Sequence, residues 1–370
     1  MEHPRERSVM RPRIVVALVV AALVVPPWIF GGAREQLGEQ ARRRLPCAFA
    51  KLKEGYTCYE LQGEAPAEAV VFVHGFSSPS YVWGQLPATL RESGYLTLVY
   101  DLYGRGSTAR PWVKYDLDLF DRQLESLLRT VGLGPRVHLV GLSMGGIIAS
   151  EFALRHPAMV ASLTLIDPAG FGSELPVGTS ILTTPLVGDW LMEVLGGRML
   201  IAANSKSVHD KSRVGDLVRR FEPQLEFAGF RRAILSTLRS MPLEDFTERY
   251  AELGRTGLPI EVFWGTRDEI TPVAGAKLAA TLLPQAAIHE VEDAGHLAHY
   301  EKTEEVGLEM IRFFEASPAP DQEGLRRPGI DVDLEQGAPP PACRECEAEP
   351  KPARPGAYSR PRFGESRNAQ

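Results

Sequence analysis

Cysteine is scarce, with four in 370 residues. That is too few for a disulfide scaffold, and the sequence alone does not fix which of them pair. Basic charge is also in short supply: 41 Lys and Arg stand against 47 Asp and Glu, a net charge of -6. This balance speaks against a nucleic-acid partner, because phosphate binding needs a basic surface. The loop DLYGRGS, 101 to 107, lacks the glycine spacing and the lysine of a phosphate cradle and reads as a hydrogen-bonded turn. No cofactor is implied.

Long apolar runs are confined to one place. Arg11, Pro12 and Arg13 precede an uncharged stretch from Ile14 to Phe30. As a helix it would extend roughly 25 Å at about 1.5 Å per residue, close to the lower limit for crossing a bilayer. Pro26 and Pro27 shorten its regular part, and Gly31, Gly32 and Ala33 offer a small-residue cleavage site. Residues 1–33 therefore read either as a retained membrane anchor or as a signal peptide that exports the rest. Arginines lie on both sides of the run, so charge does not orient it.

From Ala69 the chain alternates strand-like and helix-like segments. AVVFVHGF, YLTLVYDLYG, VHLVGLS, SLTLIDPAG, LPIEVFWGTRD and AAIHEVEDAGH read as strands, with helices predicted over Phe120–Val131, Met144–Leu154 and Thr271–Leu283. Strands that are apolar throughout belong to a mostly parallel, doubly wound α/β sheet covered on both faces. Ligands of such sheets bind beyond the carboxyl ends of the strands. Between about 172 and 255 the alternation stops, and amphipathic runs predict a helical cap. Its Leu186, Val187, Trp190, Leu191 and Leu195 read either as the lining of an apolar pocket or as packing of the cap on the core. The folded domain is expected over 45–316. The tail, 317–370, is rich in Pro and charge and poor in apolar residues, the composition of a disordered segment. Its Cys343 and Cys346 form a lone CxxC, a weak zinc or redox signal. Cys47 and Cys58 would pair if the domain is exported.

The chemistry concentrates at strand ends. In GLSMGG the serine lies in a sharp turn from strand to helix, with Gly141 and Gly145 where the two backbones pass too closely for side chains. Ser143 is thereby lifted clear of the sheet as a candidate nucleophile. An alcohol needs a base beside it and a carboxylate to orient that base. Of eight histidines, His296 follows a strand at the correct end of the sheet, with His299 as its rival. His74 reads as structural. Asp268 ends a strand and lies between serine and histidine in chain order, with Asp167 the rival and Glu269 a weaker neighbour. An oxyanion would be met by Met144 N–H, next to the nucleophile, and by Phe76 N–H in the loop after the first of these strands.

Taken together, HGF at 74–76, DLYGRGS, GLSMGG, GTRDEITP at 265–272 and AGHLAHYE at 294–301 resemble the α/β-hydrolase superfamily, over about Leu52 to Phe314. The resemblance implies a nucleophile at Ser143, an acid at Asp268 and a base at His296, with Phe76 and Met144 as oxyanion donors. It also places the cap after the sixth strand. The elbow, the DPAG segment and the apolar amino terminus look like membrane-anchored monoacylglycerol lipases and related carboxylesterases. Members that open epoxides or remove halides carry aspartate at the elbow, so those activities are not expected. The implied partner is a small or lipid-derived ester. A carbon–carbon or amide bond cleaved by the same triad, or a ligand-binding relative without catalysis, is the alternative. The oligomeric state is open.

Overall fold

The computed structural model describes residues 47–134, 136–172 and 179–322, together with 38, 42 and 45. The apolar run Ile14–Phe30, the tail beyond Gln322 and its CxxC lie outside them. Among the described residues no helix is long and apolar enough to cross a membrane.

Eight strands form one sheet: β1 (Ala48–Leu52), β2 (Gly55–Gln62), β3 (Ala69–Val73), β4 (Leu96–Tyr100), β5 (Val137–Leu142), β6 (Val160–Ile166), β7 (Ile260–Gly265) and β8 (Ala287–Val291). Their order is β1-β2-β4-β3-β5-β6-β7-β8. β2 pairs antiparallel with β1 and β4, and every other pairing is parallel. Strands β3, β5, β6 and β7 are buried along their whole length, which is why the sequence shows continuous apolar runs there. The β1–β2 hairpin was not legible as such, because β2 (GYTCYELQ) mixes buried and exposed positions. Cys47 and Cys58 form a disulfide at this hairpin.

The helices are α1 (Leu86–Glu92), α2 (Leu117–Val131), α3 (Met144–Arg155), then in the cap α4 (Thr179–Thr183), α5 (Val187–Val194), α6 (Gly196–Asn204), α7 (Val214–Phe221), α8 (Phe230–Ser240) and α9 (Thr247–Leu253). After β7 come α10 (Gly275–Leu282), α11 (Ala298–Glu301) and α12 (Thr303–Ala316). α2 begins three residues before its predicted start, because Asp116 accepts the Leu119 N–H at 3.1 Å and caps it. Gly132, left-handed at φ 75°, ends it. α10 starts later than predicted: the backbone of Ile270 and Thr271 is bound to the Asp268 carboxylate and forms a turn instead.

Packing also corrects the carboxyl-terminal boundary, which runs past 316 to Gln322. Ala319 N–H donates to Glu68 at 2.7 Å and Gln322 N–H to the Ala67 carbonyl at 2.9 Å. The Gln322 side chain accepts the Gly134 N–H and donates to the Arg136 carbonyl.

Candidate active site

Ser143 joins β5 to α3 at φ 53° and ψ -120°. A positive φ in a non-glycine residue costs about 1–3 kcal/mol, held by surrounding structure. The glycines beside it answer to sterics: a Cβ on Gly145 would lie 1.9 Å from the Val73 carbonyl, and one on Gly141 2.5 Å from the Gly145 carbonyl. α3 therefore rides directly against β3 and β5, and the serine stands in the tight turn between β5 and α3.

Two loops at the same end of the sheet bring Asp268 and His296 together. His296 Nδ1 lies 2.8 Å from Asp268 Oδ2. A carboxylate facing Nδ1 fixes the hydrogen there and leaves Nε2 with a lone pair. The other Asp268 oxygen accepts N–H groups of Ile270 and Thr271 at 2.7 and 3.0 Å, and Thr271 Oγ1 donates to Oδ2 at 2.7 Å. Ser143 and His296 line one cavity of about 130 Å³.

The rivals separate cleanly. His299 is fully buried beside Trp83, donates Nε2–H to the Val82 carbonyl at 3.0 Å, and is pushed down to about 4 by burial. Glu269 is exposed. Asp167 is buried and bonded to backbone N–H groups rather than to a histidine.

The HGF loop stands on the other side of the serine. A Cβ on Gly75 would stand 3.4 Å from Ser143 Cβ, so this loop abuts the serine. His74 Nε2 is 2.9 Å from the Leu102 N–H and must accept there; Nδ1–H donates to the Gly75 carbonyl at 2.9 Å. Burial, first of all, holds His74 down to about 3, so the ring is neutral. In a planar trans peptide the N–H opposes its C=O, so fixing the Gly75 carbonyl fixes the direction of Phe76 N–H. Met144 opens α3, and its N–H has no acceptor within the helix.

Arg105 was not singled out from sequence, yet it is fully buried and ties three segments together. It donates to the carbonyls of Phe76 at 2.8 Å and Tyr103 at 3.1 Å, and to Thr237 Oγ1 on α8 at 2.9 Å. Thr271 was missed as well. Its only signal was its place three residues after the acid in GTRDEITP.

The cap contributes Ala203, Asn204 and Ser207 to the cavity, opposite Ser77, Ser78, Val82, Ile270 and Leu297. Asn204 Oδ1 accepts the Ser78 hydroxyl at 2.6 Å. For three of the five residues of the α5 stripe both expectations need correction. Leu186 is 83% exposed, and Val187 and Leu195 are exposed too, so these neither line the cavity nor pack on the core. The cap has a small core of its own, in which Leu182, Met192, Leu200, Phe221, Phe230, Ile234 and Leu235 are buried and Leu191 is partly buried. That core consumes one side of α5 and leaves the other outside.

Comparison with known proteins places this arrangement. Monoacylglycerol lipase abhd6-B of Xenopus laevis is 26% identical over 304 residues, covering 78% of this chain and 86% of the relative. Lipase 1 of Psychrobacter immobilis is 27% identical over 262 residues, 67% of this chain and 77% of the relative. Among solved structures, the enol-lactonase from Burkholderia xenovorans LB400 superposes with a TM-score of 0.62 at 19% identity, over 72% of this chain and 99% of that one. It shares the fold. Residues 70–307 match the alpha/beta hydrolase family, and the chain belongs to it.

Proposed function

We propose that the protein is a serine hydrolase of carboxylic esters, acting through an acyl-Ser143 intermediate. The observation that carries this is the 2.8 Å contact between His296 Nδ1 and Asp268, beside the strained Ser143 in one cavity. His296 Nε2 takes the hydroxyl proton as Ser143 Oγ attacks the ester carbon. Asp268 holds the imidazole in the required tautomer and stabilises the imidazolium. Phe76 and Met144 N–H groups receive the oxyanion. The proton then passes to the leaving alcohol, and a water, activated by the same histidine, releases the acid.

The relatives named as lipases support an ester bond. The cavity supports a small group beside the serine: about 130 Å³ is room for roughly four waters. Its wall, mainly apolar through Phe76, Val82, Leu142, Ile270 and Leu297 with Ser77, Ser207 and Asn204 among them, suits a short acyl group. In a p-nitrophenyl ester series the rate should peak at butyrate or shorter and vanish in Ser143→Ala. A folded protein inert on every ester would move the reaction to a carbon–carbon or amide bond.

The Cys47–Cys58 disulfide supports a domain on the oxidising side of a membrane, attached or released through Ile14–Phe30. Protein whose thiols are blocked at lysis should give a linked Cys47–Cys58 peptide. Free thiols at both positions would return the domain to a reducing compartment.

A further inference from the structure

Asp167 is a buried carboxyl that the proposed chemistry leaves without a task. It follows β6 directly, has no solvent exposure, and takes φ 45°, the left-handed region that non-glycine residues avoid. Its backbone is pinned by a bond from its own N–H to the Phe263 carbonyl at 2.8 Å. Such strain persists only where surrounding bonds over-determine it.

Those bonds converge on both catalytic loops. One Asp167 oxygen accepts Gly265 N–H at 2.7 Å, three residues before Asp268. The other accepts Ala298 N–H at 3.2 Å, two residues after His296. The Asp167 carbonyl lies 3.1 Å from Thr271 Oγ1, which also bonds Asp268 Oδ2. On the outer side, Arg267 N–H donates to the Ala294 carbonyl at 2.9 Å. A Cβ on Gly265 would lie 2.2 Å from the Gly295 carbonyl, so the two loops are in contact.

We propose that Asp167 is a positioning residue, whose one carboxyl latches the Asp268 loop to the His296 loop and so sets the contact between them. This rests on the serine-hydrolase reading of the site. Burial, and next the nearby Asp268 charge, push the Asp167 carboxyl well above the usual carboxylate range. Asparagine is its isosteric replacement. In Asp167→Asn the amide oxygen keeps the Gly265 latch, while its NH₂ meets Ala298 N–H, donor against donor. Asp167→Ala loses both latches.

The test is kcat per active site in the full chain, with sites counted by fluorophosphonate titration, together with the far-downfield proton signal of the His296 Nδ1–H. Misplacement of a catalytic group by about 1 Å costs about 10²-fold. Asp167→Ala should lose about 30- to 100-fold in kcat per titrated site, and Asp167→Asn about tenfold, with KM within threefold and the downfield signal weakened in both. A purely structural role would reduce the number of titratable sites and leave kcat per site and the signal unchanged, which overturns the proposal. If the alanine variant does not fold, the isosteric asparagine variant decides. Wild-type protein that neither labels nor turns over esters fails the serine-hydrolase reading instead, a separate result.

Discussion

Arg105 Nε donates to the Phe76 carbonyl at 2.8 Å from a position with no solvent exposure, and its bonds among the described residues go to neutral oxygens. Burial lowers its pKa to about 9, still above neutrality, so a charged guanidinium sits against the HGF loop and reaches α8 of the cap. Lysine has one nitrogen where arginine presents a three-nitrogen fork. Arg105→Lys should leave buried carbonyls unpaired, at about 1–3 kcal/mol each. We expect a loss of about 2–4 kcal/mol in urea unfolding and at least a tenfold fall in kcat. Wild-type values for both would show that the fork does not hold Phe76.

His74 gives the stability a defined pH dependence. Its folded pKa, about 3, lies below the unfolded 6.5. Above pH 6.5 both states are neutral and nothing is lost. As pH falls below 6.5 the unfolded chain binds a proton that the folded protein refuses, so stability drops progressively toward pH 3. Between pH 6.5 and 5 the loss from this one ring is about 2 kcal/mol. His74→Gln, whose amide keeps a donor and an acceptor without titrating, should lose about 2 kcal/mol less than wild type over that interval. Parallel curves would mean the ring titrates normally.

The segment after α12 should behave as part of the domain. Glu68 Oε2 accepts both His138 Nε2, at 2.8 Å, and Ala319 N–H, at 2.7 Å. A chain ended at 316 loses the second bond and those of Gln322. The expected cost is about 2–3 kcal/mol, or about 3–5 °C in Tm for a domain of this size. A chain ended at Gln322 should melt with the full-length protein. Equal melting of all three would show that the strap adds nothing.

The parallel strands and the sharp strand-to-helix turn at Ser143 were legible because each leaves a local signature. β3, β5, β6 and β7 read as apolar runs, and Gly141 and Gly145 mark a close backbone approach. What stayed hidden is non-local. Asp167 looked like a competitor to Asp268, because chain order does not show that one carboxyl reaches Gly265 and Ala298 at once. Arg105 looked like a turn residue, since its partner Thr237 lies 132 positions away. The outward Leu186 stripe failed for a related reason: helical periodicity shows that a face exists, not which neighbour claims it.

The most direct measurement is the site of covalent capture. Native protein treated with a fluorophosphonate, digested and mapped by mass, should carry the adduct on Ser143. Ser143→Ala should carry none, and His296→Gln should react at least 10²-fold more slowly, the order of a lost general base. No adduct on folded wild-type protein, or an adduct at another serine, would contradict the account.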